Sequence, residues 1–125
     1  MTDRILVHRI AVFAYHGLLA EEERLGQRFF ISLDCELDLA AAGASDDVAK
    51  TVSYADLTAI AIEIAIKRRF ALIEALAEVI AAEILTRFAV IERVSVRVDK
   101  PSAPVPAIID GVSVEITRIR VGAAR

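Results

Sequence analysis

Lys100 stands where an alternating apolar segment gives way to a proline-rich one, in the run V-S-V-R-V-D-K-P-S-A-P from Val94 to Pro104. The alternation predicts a half-buried strand, and Pro101 ends it because proline has no N–H for a sheet ladder. A strand end is a place where a scaffold can aim a side chain. If its neighbours remove it from water, a lysine there can act as a general acid or base. The position also suits an ordinary solvated lysine, since most lysines lie on the surface.

The chain before Lys100 supplies two predicted strands and two predicted helices. Segments 5–13 and 27–39 are predicted strands, and the second has apolar residues at alternate positions. A turn at 15–17 and an acidic loop over 18–24 separate them, and segment 40–50 is interpreted as a connection. Ser53, followed three residues later by Asp56, predicts a helix start. Apolar spacing predicts a second helix from about Ala71 to Phe88.

After Lys100 the sequence predicts a proline-rich link over 101–106, a turn at Asp110-Gly111 and a last strand from Val112 to Ile116. The element order is therefore β-β-α-α-β-β. This order predicts a single α+β domain, residues 1–125, in which an antiparallel sheet carries both helices on one face.

Composition limits the classes of function. The chain has 125 residues, 56% of them hydrophobic, and a net charge of −3. No apolar run approaches the ~18 residues that span a bilayer, so the surplus apolar surface predicts a homo-oligomer rather than a membrane protein. No basic tract indicates nucleic-acid binding. The first residues lack the pattern of a signal peptide, which favours the cytoplasm.

The cysteine and the histidines do not predict a metal centre. Cys35 is the single cysteine and is in phase with the apolar positions of its strand, so it is interpreted as a core residue. His8 and His16 are not spaced as zinc ligands usually are. We therefore expect no metal site built by this chain.

Four stretches have to be considered together: Y-H-G-L-L-A-E-E-E-R-L-G-Q, T-V-S-Y-A-D-L, L-I-E-A-L-A-E and V-D-K-P-S-A-P-V-P. In this order and spacing they resemble the dihydroneopterin aldolases, the retro-aldol enzymes of folate biosynthesis. The resemblance implies the tunnelling fold, which is the same β-β-α-α-β-β unit. It also implies rings of four subunits whose sheets close into an oligomeric barrel. Two rings would stack into an octamer, with active sites at subunit interfaces.

The resemblance also implies roles for particular residues. Lys100 and Tyr54 match the catalytic lysine and tyrosine, and the tyrosine would reach the site of a neighbouring subunit. Glu74 matches the pterin anchor, because a carboxylate accepts hydrogen bonds from the pterin amine and ring N–H together. Glu22 matches an acid close to the ligand, within a run of three glutamates. The other substrate-binding positions that the resemblance implies are Val52, Ile73 and Leu19.

Position alone leaves other interpretations open for three of these residues. Glu22 could be a solvated charge within the run Glu21–Glu23, and which of the three acids would contact the ligand stays open. Glu74 could be an acid in a first helical turn, stabilised there by the helix dipole. Tyr54 could pack at a helix start with its hydroxyl in water. At Ala71 some family members carry a polar residue that touches the ligand, and an alanine cannot make that hydrogen bond.

The reaction that the resemblance implies needs no cofactor. Dihydroneopterin has a ring C=N beside the breaking bond, so an imine or a metal ion is not required as the electron sink. Two alternatives to the aldolase stay open. One is a sister enzyme that epimerises dihydroneopterin triphosphate, and epimerisation is also a plausible side activity of the aldolase itself. The other is a non-catalytic oligomer that binds a pterin or purine and needs Glu74 but neither Lys100 nor Tyr54.

Overall fold

An antiparallel sheet forms one layer of the protein. The computed structural model describes residues 3–121. The strands are β1 (Arg4–Ala14), β2 (Gln27–Glu36), β3 (Arg93–Lys100) and β4 (Val112–Ile119). They lie in the order β1-β2-β3-β4, and each is antiparallel to its neighbour. Among the described residues the outer edges of β1 and β4 have no partner strand.

The helices form the second layer. They are α1 (Ala20–Leu25), α2 (Ala40–Ser45), α3 (Tyr54–Lys67) and α4 (Ile73–Arg87). The two long helices contact each other, and α3 also contacts β1 while α4 contacts β3 and β4. Their apolar stripes join the inward-facing residues of the strands in one core. The predicted α+β arrangement, with the long helices on one face of the sheet, is confirmed.

Strand β2 shows how the alternation places residues on the two faces. Ile31, Leu33 and Cys35 are at most 2% exposed, whereas Ser32 and Asp34 between them are partly exposed. The side-chain period of two therefore gives the sheet one apolar and one polar face. Cys35 is a core residue as predicted, and its burial, with a smaller effect of Asp34, raises the pKa of its thiol to about 12.

The predicted start of α3 is also confirmed. The hydroxyl of Ser53 accepts a hydrogen bond from the backbone N–H of Asp56 at 3.3 Å, which satisfies one of the free donors of the first turn. Helix α4 begins two residues later and ends one residue earlier than predicted. The last strand continues three residues beyond Ile116, to Ile119.

Two segments predicted as irregular contain short helices, and those predictions were wrong. The acidic loop predicted over 18–24 includes α1, and the connection predicted over 40–50 includes α2 and a 3₁₀ turn at Val48–Lys50. Each α-helix has only six residues and has no serine, threonine, aspartate or asparagine at its N-cap. Less than two turns is too short for an apolar stripe to be recognised in the sequence.

A bulge in β1 brings an arginine towards β3. The pairing with β2 shifts between Val7 and Ile10, and Arg9 has a φ of 49°, in the left-handed region. The Arg9 guanidinium lies 4.1 Å from the ring centre of Phe30 and donates a hydrogen bond to Asp99 at 2.9 Å. Since Asp99 directly precedes Lys100, these contacts tie β1 to the end of β3 that carries the lysine.

Arg120 fastens the end of α4 to the sheet. Its guanidinium donates hydrogen bonds to the carbonyls of Leu85 at 2.6 Å, Phe88 at 2.8 Å and Ile91 at 3.0 Å. The Leu85 carbonyl lies in the last turn of α4, where a helix leaves carbonyls without helical partners and its dipole favours a cation. The carbonyls of Phe88 and Ile91 belong to the segment that follows the helix.

Replacing Arg120 by methionine should destabilise the fold by about 2–4 kcal/mol, because three carbonyls lose charged donors. Arg118→Met is the matched control, since Arg118 pairs with the exposed Glu78 and such a pair contributes at most about 1 kcal/mol. Urea unfolding at one fixed protein concentration compares the two variants. Equal unfolding midpoints would show that Arg120 does not hold the helix end.

No helix within residues 3–121 combines the length and the apolar character needed to cross a membrane.

Candidate active site

A cavity of about 340 Å³ opens at the end of the sheet where β3 finishes. Its walls come from the segment after β1, the start of α4, the end of β3, the link between β3 and β4, and β4 itself. A volume of this size is at the lower end of the range found for small-molecule sites. The lining residues are Leu18, Leu19, Glu22, Ala71, Leu72, Ile73, Glu74, Lys100, Ala103, Pro104, Val105, Val112 and Val114.

Lys100 is directed into this cavity by the alternation of β3. Val96 and Val98 are fully buried on the face that carries the helices, and Lys100 follows in the same phase. Its side chain is only 12% exposed. The lysine is therefore largely withdrawn from water, as the functional interpretation of this strand end required.

Glu22 is the partner of Lys100 in the cavity. The Lys100 Nζ lies 2.5 Å from Glu22 Oε2, which also accepts a hydrogen bond from Gln27 Nε2 at 2.9 Å. The other carboxylate oxygen accepts from the backbone N–H of Leu19 at 3.2 Å. Burial alone would raise the pKa of Glu22, but the hydrogen bonds from Lys100, Leu19 and Gln27 outweigh it and lower the pKa. Glu22 is thus held as a carboxylate.

Gly17 allows the carboxylate of Glu22 to sit where it does. Its φ is 149°, a value that favours glycine. A Cβ added to Gly17 would overlap the Glu22 carboxylate. The sequence predicted a turn over 15–17, and the contact with Glu22 explains why a glycine ends it.

Three further residues predicted to bind substrate line the same cavity: Leu19, Ile73 and Glu74. Glu74 lies in the first turn of α4, and among the described residues its side chain makes no hydrogen bond or ion pair. Its carboxylate is therefore available to a ligand. The side chain of Ala71 lies in the same wall and offers no polar group.

Tyr54 and Val52 do not line the cavity of their own chain. Val52 is 4% exposed and belongs to the core, whereas Tyr54 is 71% exposed at the first residue of α3. The cavity adjoins the segment that follows the other end of this helix. At 1.5 Å per residue, its 14 residues span about 20 Å. A tyrosine side chain cannot cover that distance, so Tyr54 and Lys100 do not meet within one chain.

Gln27 was not selected as a functional residue from the sequence. It holds Glu22 through its Nε2 atom, while its Oε1 is buried and has no hydrogen-bond partner among residues 3–121. Gln27 stands five residues after Glu22, at the start of β2, and no periodic pattern in the sequence marks it as a site residue. In the same described range, no group of three or more histidine, cysteine, aspartate or glutamate side chains could hold a metal ion.

Comparison with known proteins agrees with this architecture. A family model described as dihydroneopterin aldolase matches residues 5–117. The dihydroneopterin aldolase of Methylorubrum extorquens is 69% identical over 120 residues, 96% of this chain and 92% of that protein. The crystal structure of the Escherichia coli dihydroneopterin aldolase in complex with neopterin superposes with a TM-score of 0.85 at 31% identity and covers 94% of this chain and 99% of that one.

A third similar protein was solved with a different ligand. The dihydroneopterin aldolase of Burkholderia thailendensis, bound to guanine, gives a TM-score of 0.77 at 26% identity and covers 94% of this chain and 91% of the other. The antiparallel sheet and its paired helices define an enzyme of the tunnelling-fold class. Within that class, the chain belongs to the dihydroneopterin aldolase family, the aldehyde-lyases of folate biosynthesis.

Proposed function

We propose that this cavity cleaves 7,8-dihydroneopterin into 6-hydroxymethyl-7,8-dihydropterin and glycolaldehyde. The observation that carries the proposal is the largely buried Lys100–Glu22 pair, 2.5 Å apart, in the same cavity as the Glu74 carboxylate, which has no partner within residues 3–121. Glu74 can anchor a ligand, and the Lys100–Glu22 pair can move protons.

Glu74 would anchor the bicyclic ring. Neopterin and guanine, the ligands of the two structural relatives, share a pyrimidine ring with an amino group beside a ring N–H. A carboxylate accepts both hydrogens at once. In this chain Glu74 is the lining carboxylate without a partner among the described residues, whereas Glu22 is already bound by three donors. Ile73 and Leu19 would contact the faces of the ring.

Lys100 would carry the acid–base chemistry. The hydroxyl on the second side-chain carbon loses its proton, and the C–C bond between the first and second side-chain carbons breaks. The electron pair passes through the first carbon into the ring C=N. The ring nitrogen gains a proton, and glycolaldehyde departs. The first side-chain carbon is then protonated while the ring nitrogen gives up its proton and the C=N re-forms, which gives the hydroxymethyl product. Lys100 exchanges protons with the hydroxyl and the ring nitrogen, and Tyr54 helps to protonate the carbon.

Tyr54 would enter this scheme from a second subunit. In the described part of the chain, the outer edges of β1 and β4 carry no partner strand and lie on opposite sides of the sheet, so β1 of one chain can pair with β4 of the next. Such a head-to-tail contact forms a ring when the rotation between neighbouring chains closes after a whole number of subunits. Partly exposed apolar residues on both edges, Leu6 (45%) and Ile119 (45%) among them, would be covered by the contact. We propose rings of four, stacked as an octamer, with Tyr54 and Val52 completing a neighbour's site.

The test is to supply purified protein with 7,8-dihydroneopterin and measure glycolaldehyde and 6-hydroxymethyl-7,8-dihydropterin. We expect both products in equal amounts, because the bond broken yields one of each. Epimer without glycolaldehyde would indicate the sister epimerase, and bound pterin without any turnover would indicate a binding module. A triphosphate substrate is less well supported, since Lys100 is the single basic side chain among the cavity residues of the described chain.

Two further expectations stay predictions. The intermediate can recombine with glycolaldehyde with reversed stereochemistry at the new bond. A minor epimerase activity should therefore accompany cleavage. The cytoplasmic location expected from the sequence is consistent with a family that acts on a small soluble substrate.

A further inference from the structure

His16 is a buried histidine that does not touch the cavity but holds two backbone segments together. It is 0% exposed and packs between the rings of Phe29 and Phe70, whose centres lie 5.3 and 5.6 Å from its own. Its Nδ1 accepts a hydrogen bond from the backbone N–H of Phe70 at 3.0 Å. Its Nε2 therefore carries the proton and donates to the carbonyl of Ala65 at 2.9 Å.

The two segments that His16 joins continue directly into two walls of the cavity. Residues 15–17 lead into the wall that contains Glu22, and residues 65–70 lead into the wall that contains Glu74. Three more hydrogen bonds cross the same junction: the N–H of Gly17 donates to the carbonyl of Phe70 at 3.0 Å, and Arg69 donates to the carbonyls of residues 15 and 17 at 2.9 and 2.5 Å.

The surroundings keep His16 neutral, which the bond from Phe70 requires. Burial lowers the pKa of His16, and the nearby charges of Arg69 and Lys100 lower it further, against the opposing effect of the bond to Ala65. A neutral ring keeps one nitrogen as an acceptor.

We propose that His16 is a positioning residue: its bond to the Phe70 N–H sets the distance between the Glu74 wall and the Lys100–Glu22 pair. The proposal rests on the function proposed above for those three residues. The bond to Ala65 reaches back into the last turn of α3, away from the Glu74 wall, and mainly holds the ring in place. Loss of the Phe70 bond should therefore affect substrate binding more than loss of the Ala65 bond.

Two amide substitutions separate the bonds. Asparagine at position 16 can place its oxygen where Nδ1 lies and keep the acceptor for Phe70, whereas glutamine can reach the Nε2 position and keep the donor to Ala65. We expect His16→Gln to raise KM for dihydroneopterin about tenfold, with a smaller effect on kcat, and His16→Asn to remain within about threefold of the unchanged protein. A merely structural histidine would give both variants the same KM and lower only their thermal stability, and that result would overturn the proposal.

A second variant decides the matter if neither His16 variant folds. Arg69→Met removes two bonds across the same junction from a partly exposed side chain, and Lys67→Ala is its control on the exposed end of α3. A rise in KM for Arg69→Met without a rise for Lys67→Ala supports the proposal. An unchanged KM for Arg69→Met overturns it. The Kd for guanine is measured on every variant. If the unchanged protein does not cleave dihydroneopterin, the proposed function fails. The guanine Kd values still test whether His16 sets the distance between the Glu74 wall and the Lys100–Glu22 pair.

Discussion

Replacing Lys100 by alanine should lower the turnover of 7,8-dihydroneopterin by about 10²- to 10⁴-fold, the usual contribution of a positioned acid or base. Affinity for guanine should change by less than about tenfold, because Glu74 and not Lys100 is the proposed anchor. Single-turnover product formation and equilibrium binding measure the two quantities separately. Lys67→Ala is the control, since Lys67 is 72% exposed and pairs with Glu63 outside the cavity.

Lys100→Arg separates proton transfer from simple charge pairing. An arginine can keep the ion pair with Glu22, but it stays protonated at any ordinary pH and cannot exchange a proton with the substrate. We therefore expect Lys100→Arg to be nearly as inactive as Lys100→Ala. Arginine that restored turnover would show that the charge, rather than the proton, is what matters. In Lys100→Ala the pKa of Glu22 should rise, because the largest of the opposing hydrogen bonds is removed while the burial remains.

The sequence predicted those parts of the fold that local patterns encode. The alternation of β2, the Ser53 cap of α3 and the strand end at Lys100 each depend on neighbours within a few residues, and each is present in the structure. The short helices α1 and α2 could not be predicted, because six residues show neither an apolar stripe nor a side-chain cap.

The contacts that build the site are different, because they join distant parts of the chain. Glu22 and Lys100 are separated by most of the sequence. The pairing of β2, which follows α1, with β3 brings the two residues together. Nothing near His16 in the sequence indicates that its partners are Ala65 and Phe70. Family resemblance selected Glu22 and Lys100 as site residues, but only the folded structure shows that they pair directly.

Mixing two inactive variants should restore activity if the site is shared between chains. A Lys100→Ala chain still offers Tyr54, and a Tyr54→Ala chain still offers Lys100. In a ring refolded from equal amounts of both, about one quarter of the interfaces would combine an intact lysine with an intact tyrosine of the neighbour. The mixture should then reach about a quarter of the unchanged turnover, whereas each variant alone stays far lower.

The restored activity has a specific geometric basis. Within one chain Tyr54 and the cavity are separated by about the length of α3, close to 20 Å, so no rearrangement of the tyrosine side chain can bring it to its own Lys100. Simple mixing of folded oligomers, without exchange of subunits, is the matched control and should restore nothing. If the co-refolded mixture gave only the sum of the two variants, the tyrosine would not act across the interface. If Tyr54→Ala alone kept full turnover, Tyr54 would have no role in the reaction, and protonation of the carbon would have to come from Lys100 or water.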